Sequence, residues 1–289
     1  MNCLVTGGSG FLGSHVADIL TKKGYNVFIL DKKKSKYLKK KQKFIKGDLL
    51  DDLKLKKVLK KMNYVFHFGG LADLNEALTK PIETIKINIL GTANLLKYSC
   101  KNKVKRFIHA STIYVNSNQG GFYRTSKKAA EDYVEEFSKR FGLNYTILRY
   151  GSLYGERAEN QNGITRTILD AIKKNKIIYP GSKKTVREYI HVKDAAIATV
   201  NCLNNKYKNK HVNITGNKKI KVHKFLKILS RFLNIKKISF KNKKILGHYV
   251  VTPYTFKPKI GKKMKLKKTI NFEQGIKKLV SEKINLLKI

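Results

Sequence analysis

The chain has 289 residues, 42% of them hydrophobic, which allows one large core or a core with a smaller lobe. Its net charge of +44 comes from Lys spread over the whole length, with only eight Arg. This fits a solvated surface and an AT-rich coding bias, so neither a nucleic-acid nor a membrane partner is expected. No apolar run reaches a membrane span and no leader is expected, and Cys3, Cys100 and Cys202 read as buried free thiols of a cytoplasmic protein without a metal site.

Cys3-Leu4-Val5 reads as a buried strand, and Phe11, Leu12, Val16, Ile19 and Leu20 follow at helical spacing. Between them lies G-x-x-G-x-x-G. Gly7 permits the turn off the strand, Gly10 lets backbone approach a pyrophosphate, and Gly13 lets helix and sheet pack closely. The helix start offers N–H groups and a positive dipole end to phosphates. The run Val27 to Leu30 closes on Asp31, placed to hydrogen-bond an adenosine ribose. A 2′-phosphate would meet that charge, so NAD is expected rather than NADP.

Lys32 to Lys43 reads as a solvated loop with a short helix, and Phe44-Ile45 as a strand ending in Gly47-Asp48-Leu49. An amphipathic helix (Leu53, Leu55, Val58, Leu59) leads to the strand Tyr64 to Phe68. A long helical region enters after Pro81 and runs through Ile85, Ile89, Leu95 and Leu96. Phe107 to Ala110 is the fifth strand, Tyr123 to Arg140 a helix and Tyr145 to Leu148 the sixth strand. This alternation predicts an α/β fold, a doubly wound parallel Rossmann sheet with right-handed crossovers.

Past residue 150 the alternation loosens. Helices are expected over Ile164 to Lys173, Ala195 to Leu203, His223 to Leu233 and Phe272 to Leu286. Short strands are expected near Ile177 to Tyr179, Tyr189 to Val192 and His211 to Ile214, and an irregular basic segment over Lys236 to Lys268. The expected organisation is a dinucleotide-binding domain over 1–157, to whose core 185–215 returns, and a small C-terminal substrate-binding lobe over 158–289.

Tyr123 and Lys127, four apart, share one helix face. A phenol is a poor base at neutrality, but an ammonium and a cationic nicotinamide beside it both favour the phenolate. Ser111-Thr112, just after the fifth strand, can orient a substrate oxygen and share its proton with Tyr123; capping a turn is the alternative role. Arg149, Arg157 and Arg187 stand where Lys is the local habit, which suggests use of the planar fork.

These stretches together resemble the extended short-chain dehydrogenase/reductases, specifically the NAD-dependent nucleotide-sugar epimerases and dehydratases. Thr6 to Gly13 looks like that family's cofactor loop, with Gly7, Ser9, Gly10, Phe11, Leu12 and Gly13 as its contacts. Gly47-Asp48-Leu49 is similar to its adenine-binding segment, His67-Phe68-Gly69-Gly70 to its H-x-A-A/G, and Asn88 to Thr92 to its N-x-x-G-T. Leu148 to Gly155 resembles L-R-x-x-N-x-Y-G, and Arg187 to Asp194 resembles R-D-[FY]-I-H-V-x-D, whose Arg meets a substrate diphosphate.

The resemblance implies Thr112, Tyr123 and Lys127 as catalytic residues. It implies Asp31, Asp48, Leu49, Phe68, Gly69, Gly70, Asn88, Ser111, Tyr150 and Gly151 as further cofactor contacts. Thr112, Ser152, Arg157 and Arg187 are the candidate substrate contacts. It also implies a nucleotide-sugar substrate and a homodimer through helices at 82–99 and 124–140.

Five departures stand out. Ser111 to Ser117 lacks the family's Tyr-Gly, and only ten residues separate Thr112 from Tyr123. Ser152 replaces an Asn, and the family's C-terminal diphosphate-clamping Arg has no counterpart around Thr252-Pro253-Tyr254. Ile113-Tyr114 stands where dehydratases carry Asp-Glu, which argues against dehydration. The expected activity is C4 epimerisation of a nucleotide-linked sugar. A net NAD(P)-dependent reductase or dehydrogenase and a non-catalytic dinucleotide sensor remain as alternatives.

Overall fold

The computed structural model describes residues 1–241 and Val250, all within a compact unit that runs Met1–Phe256. The chain opens with β1 (Asn2–Thr6), α1 (Phe11–Lys22), β2 (Asn26–Asp31), β3 (Gln42–Lys46), α2 (Asp52–Leu59) and β4 (Tyr64–His67). Short α3 (Leu74–Thr79) and α4 (Pro81–Ile85) lead through a π-helical turn (Lys86–Leu90) into α5 (Gly91–Lys101). β5 (Arg106–Thr112), a 3-10 turn (Ile113–Asn116), α6 (Gly121–Phe141) and β6 (Tyr145–Tyr150) follow. Then come β7 (Ser152–Tyr154), α7 (Gly163–Lys174), β8 (Ile177–Tyr179), β9 (Val186–His191) and α8 (Val192–Asn201). β10 (Lys210–Ile214), β11 (Lys219–Lys221), α9 (Val222–Phe232) and β12 (Ile238–Phe240) complete the described elements.

Seven strands form one sheet in the order β10-β6-β5-β4-β1-β2-β3, every pairing parallel. This is the doubly wound α/β fold that the alternation predicts. Both faces are covered, which is why the strands read as unbroken apolar runs. Cys3, Val5, Val27, Ile29, Phe66, Ile108 and Leu148 face Val16, Ala17, Leu20, Ala195, Ala196 and Val200 of α1 and α8. The alternate residues Leu4, Leu30, Val65, Phe107 and Ile147 face Leu55, Leu59, Leu95, Leu96 and Val134 of α2, α5 and α6. Strand order reverses beside β1, the switch point where such sheets open a crevice at their carboxyl ends.

Two small sheets lie outside this one: β11-β9-β7 and β12-β8. A separate apolar cluster of Ala171, Ile177, Val222, Leu226, Leu229 and Ile235 joins α7, β8 and α9.

Several boundaries differ from the sequence reading. Residues 32–41 contain turns and no helix. Gln42 closes that loop by accepting the Lys39 N–H and donating to Asp18, and so starts β3 earlier than expected. α3 was not expected, although Asp73 caps it by accepting the Glu76 N–H at 2.8 Å, a cap legible in Asp73-x-x-Glu76. Ser111 and Thr112 do not follow β5 but end it, paired with Arg149 and Tyr150 of β6. Cys3 and Cys202 are buried thiols, whereas Cys100 is only half-buried. The expected helix over Phe272 to Leu286, most of the basic segment over Lys236 to Lys268, and Thr252-Pro253-Tyr254 lie outside the described residues. Among the described residues no helix is long and apolar enough to cross a membrane.

Candidate active site

The glycine loop is held by close backbone approach. Gly7 has φ 65°, and a Cβ there would lie 2.6 Å from the Gly69 nitrogen; one on Gly13 would lie 2.3 Å from the Gly7 carbonyl oxygen. β1, the start of α1 and the loop after β4 therefore pack with no room for side chains. Beyond them, among the described residues, no side chain caps α1, its first turn carries no acid, and the buried Ser9 hydroxyl has no partner. An uncapped helix start beside a buried, unmatched hydroxyl fits a pyrophosphate.

Asp31, at the end of β2, accepts the Ser9 N–H at 3.1 Å and the Lys33 N–H at 3.3 Å. Lys32 turns away from it to pair with Asp48 at 2.9 Å. Partial burial works to raise the Asp48 pKa, but the Lys32 contact and backbone N–H donors outweigh it and hold the carboxyl below its usual range. The Leu49 side chain closes against Gly69, and Asn88 against Gly70.

A directional hydrogen-bond chain fixes this wall. Thr92 donates to the Asn88 carbonyl at 2.7 Å, so its oxygen is free to accept from His67 Nε2 at 2.9 Å. His67 Nδ1 then accepts the Thr6 hydroxyl proton at 2.7 Å, and Thr6 Oγ1 accepts the Gly69 N–H at 3.3 Å. The imidazole is neutral: burial, helped by the Lys127 charge, pushes its pKa down to about 3. Asn88, in the π-helical turn, accepts the Leu71 N–H at 2.7 Å and donates to Ser126 at 2.9 Å, tying the loop after β4 to α6.

Thr112 and Tyr123 meet where β5 ends and α6 begins. The Thr112 hydroxyl lies beside the phenol, and Thr112 Oγ1 accepts the Tyr114 N–H at 3.2 Å, which leaves its proton available to the phenol oxygen. Burial pushes the Tyr123 phenol up to about 12, with the Thr112 bond working against it. Lys127, one turn on, is 8% exposed, and burial pulls its pKa down to about 8. From the sequence, an ammonium and a cationic nicotinamide together favour the phenolate. In the protein alone desolvation of both groups is the larger effect, and the Lys127 charge also lowers the pKa of His67 and of His109, a fully buried ring 5.4 Å from His67.

The other candidates divide. The Ser111 hydroxyl donates to Glu131 at 2.5 Å. The buried Tyr150 hydroxyl pairs with Thr199 at 2.6 Å, a link to α8, while the Gly151 N–H donates to the Ile214 carbonyl. Ser152 lies opposite Tyr189 in the β7–β9 pairing. Arg187 Nη1 donates to the Val186 and Val250 carbonyls at 3.0 and 3.1 Å. Arg157 is engaged elsewhere: its Nη2 donates to Asp18 at 2.7 Å and its guanidinium lies 4.6 Å over the Tyr37 ring. Asp18 is two turns down α1 from the glycine loop, so this Arg clamps α1 to the loop before β3. The sequence reading missed Thr6, Thr92, Ser126 and Glu131, of which Glu131, four residues beyond Lys127, was visible as helical spacing.

A doubly wound fold with a glycine cradle at its switch point and a Thr–Tyr–Lys cluster at the end of β5 defines a dinucleotide-dependent enzyme. Residues 3–215 match the NAD dependent epimerase/dehydratase family, and the chain belongs to that family. It is 33% identical to the UDP-glucose 4-epimerase of Schizosaccharomyces pombe over 247 residues, covering 69% of this chain and 70% of that one. It is 32% identical to the UDP-N-acetyl-alpha-D-glucosaminuronate decarboxylase of Bacillus cytotoxicus over 238 residues, covering 73% and 74%. The UDP-glucose 4-epimerase of Thermotoga maritima, solved with UDP-glucose, superimposes with a TM-score of 0.80 at 27% identity, covering 89% of this chain and 90% of that one.

Proposed function

We propose that this protein is an NAD-dependent epimerase that inverts C4 of a UDP-linked sugar. The observation that carries the reading is the Thr112 hydroxyl beside the Tyr123 phenol, one helical turn from buried Lys127. The likeness to UDP-glucose 4-epimerases supports the substrate class.

Gly7, Ser9, Gly10, Phe11, Leu12 and Gly13 would hold the cofactor's pyrophosphate, Asp31 its adenosine ribose, and Asp48 and Leu49 its adenine. Phe68, Gly69, Gly70, Asn88, Ser111, Tyr150 and Gly151 would line the rest. Lys32 is paired with Asp48 and so is not offered to a 2′-phosphate, which supports NAD over NADP. NAD held by these residues would supply reversible hydride exchange, unconsumed over a turnover.

Tyr123 takes the proton of the sugar C4 hydroxyl and later returns it. Thr112 donates a hydrogen bond to the reacting oxygens, and its hydroxyl beside the phenol favours the phenolate. Lys127 places positive charge beside Tyr123 and binds the nicotinamide ribose. Ser152 and Arg187 face the substrate's diphosphate side. Arg157 acts from outside the site, by clamping α1 to the loop before β3.

The division of labour is a dinucleotide-binding domain over 1–157, completed by 185–215, with 158–289 mainly shaping the substrate lobe. Exposed Ile82, Ile85 and Leu90, with Phe122, Tyr133 and Phe141 on α6, support a homodimer through these helices. The free thiols Cys3 and Cys202 suit the reducing cytoplasm.

The reading is tested by denaturing purified protein, identifying the released cofactor, and following fresh enzyme with UDP-, GDP- and dTDP-sugars by NMR. Inversion at C4 without net cofactor turnover is the expected result. Steady consumption of reduced cofactor would establish the reductase instead.

A further inference from the structure

Glu131 is a carboxylate fully enclosed by protein. Burying such a charge is unfavourable unless several donors hold it, and apolar residues of the same volume would generally do better. Its donors come from two strands, and a histidine of a third lies nearby. The Ser111 hydroxyl reaches Oε1 at 2.5 Å, while Arg149 contributes Nε to Oε1 at 3.0 Å and Nη2 to Oε2 at 2.6 Å. His211 Nδ1 lies 3.7 Å from Oε2 and its Nε2 is 2.5 Å from Glu135. Arg149 Nη1 also donates to Asn116, in the turn that joins β5 to α6, at 3.3 Å. One carboxylate thus ties α6 to β5, to β6 and to that turn.

Its place on α6 is the second observation. Tyr123, Lys127 and Glu131 follow at intervals of four and share one helix face. Tyr123 lies one turn back from Lys127, the neutral rings of His67 and His109 lie within reach of its charge, and Glu131 lies one turn on. On β5, the residue that Glu131 holds is Ser111, adjacent to Thr112.

We propose that Glu131 is a positioning residue for the reaction proposed above: it supplies the countercharge one helical turn from Lys127 and, through Ser111, holds Thr112 in place for Tyr123. The inference rests on that reading of the site. Burial alone lowers the Lys127 pKa, and Glu131 works against the fall. Without the carboxylate the ammonium is lost at a lower pH, and the phenolate loses its cation over the pH range where turnover needs it.

The experiment titrates the Lys127 Nζ by NMR in lysine-labelled full-length protein, with Lys127→Arg to assign the signal, in wild type, Glu131→Asp and Glu131→Gln. The midpoint should fall in that order, by about one pH unit from wild type to Gln. If the Gln variant does not fold, the wild type and Asp pair decides. Equal midpoints would overturn the proposal. The titration needs no substrate, so it succeeds or fails independently of the epimerase assignment. In turnover assays of active enzyme, Glu131→Gln should lower kcat at least tenfold with KM within twofold, move the alkaline limb of the pH profile to lower pH, and be partly rescued in the Asp variant. A loss independent of pH would mark a merely structural role.

Discussion

The hydroxyl of Thr112, the last residue of β5, lies beside the phenol of Tyr123, in the first turn of α6, across a ten-residue connection. The phenol stands where burial raises its pKa to about 12, so its hydroxyl proton is held firmly until a cation beside it lowers that value. Tyr123→Phe removes the proton acceptor while keeping the ring. Turnover should fall by ~10²–10⁴-fold with thermal stability and cofactor content near wild type. Steady-state kinetics beside a melting curve check this, and near-wild-type turnover would remove Tyr123 from its role.

Lys127 gives a stability prediction with a definite sign. Its pKa is depressed in the folded protein, to about 8 from 10.5, so the fold favours the neutral amine. The associated stability is fully present above about 10.5 and is lost as pH falls through about 8. Lys127→Met should therefore be more stable than wild type below pH ~8, by about 3 kcal/mol at ~1.4 kcal/mol per tenfold. The advantage should fade between about pH 8 and 10.5, while activity is lost throughout. Denaturant midpoints of both proteins across that range provide the measurement.

Gly13→Ala places a Cβ 2.3 Å from the Gly7 carbonyl oxygen, backbone that has little freedom to move. It should destabilise the protein by ~1–3 kcal/mol and reduce copurifying NAD. Chemical denaturation and cofactor analysis after acid release report the two effects separately.

Cofactor choice rests on Asp31. Wild type should bind NAD at least tenfold more tightly than NADP, and Asp31→Ser should narrow that ratio by removing the charge. Because Asp31 also accepts the Ser9 N–H, some affinity for NAD should be lost as well. Calorimetric titration with both cofactors gives the ratio directly.

The exposed apolar residues of α4, the π-helical turn and α6 lead to a further expectation. Light scattering should report twice the chain mass, and Ile85→Glu with Tyr133→Glu should give a monomer that keeps its far-ultraviolet circular dichroism. A wild-type monomer would rule the dimer out.

The parts of this site that depend on short-range spacing were legible in the sequence. The glycine loop, Asp31 and the Tyr123/Lys127 pair each follow from one turn of chain and the chemistry that turn permits. The Glu131 network was not, because Ser111 is 20 residues away, Arg149 is 18, and only the parallel pairing of β5 with β6 brings both to α6. Arg157 was misleading for the same reason: its partner Asp18 is 139 residues earlier. Sequence spacing placed an ammonium near the phenol, but the balance between that charge and desolvation depends on burial, which spacing does not carry.

In the proposed reaction one hydride leaves C4 and returns to it. UDP-glucose carrying deuterium at C4 should be converted to its C4 epimer with the label retained at that carbon and no reduced cofactor accumulating. Loss of the deuterium to solvent, or stoichiometric build-up of reduced cofactor, would contradict it.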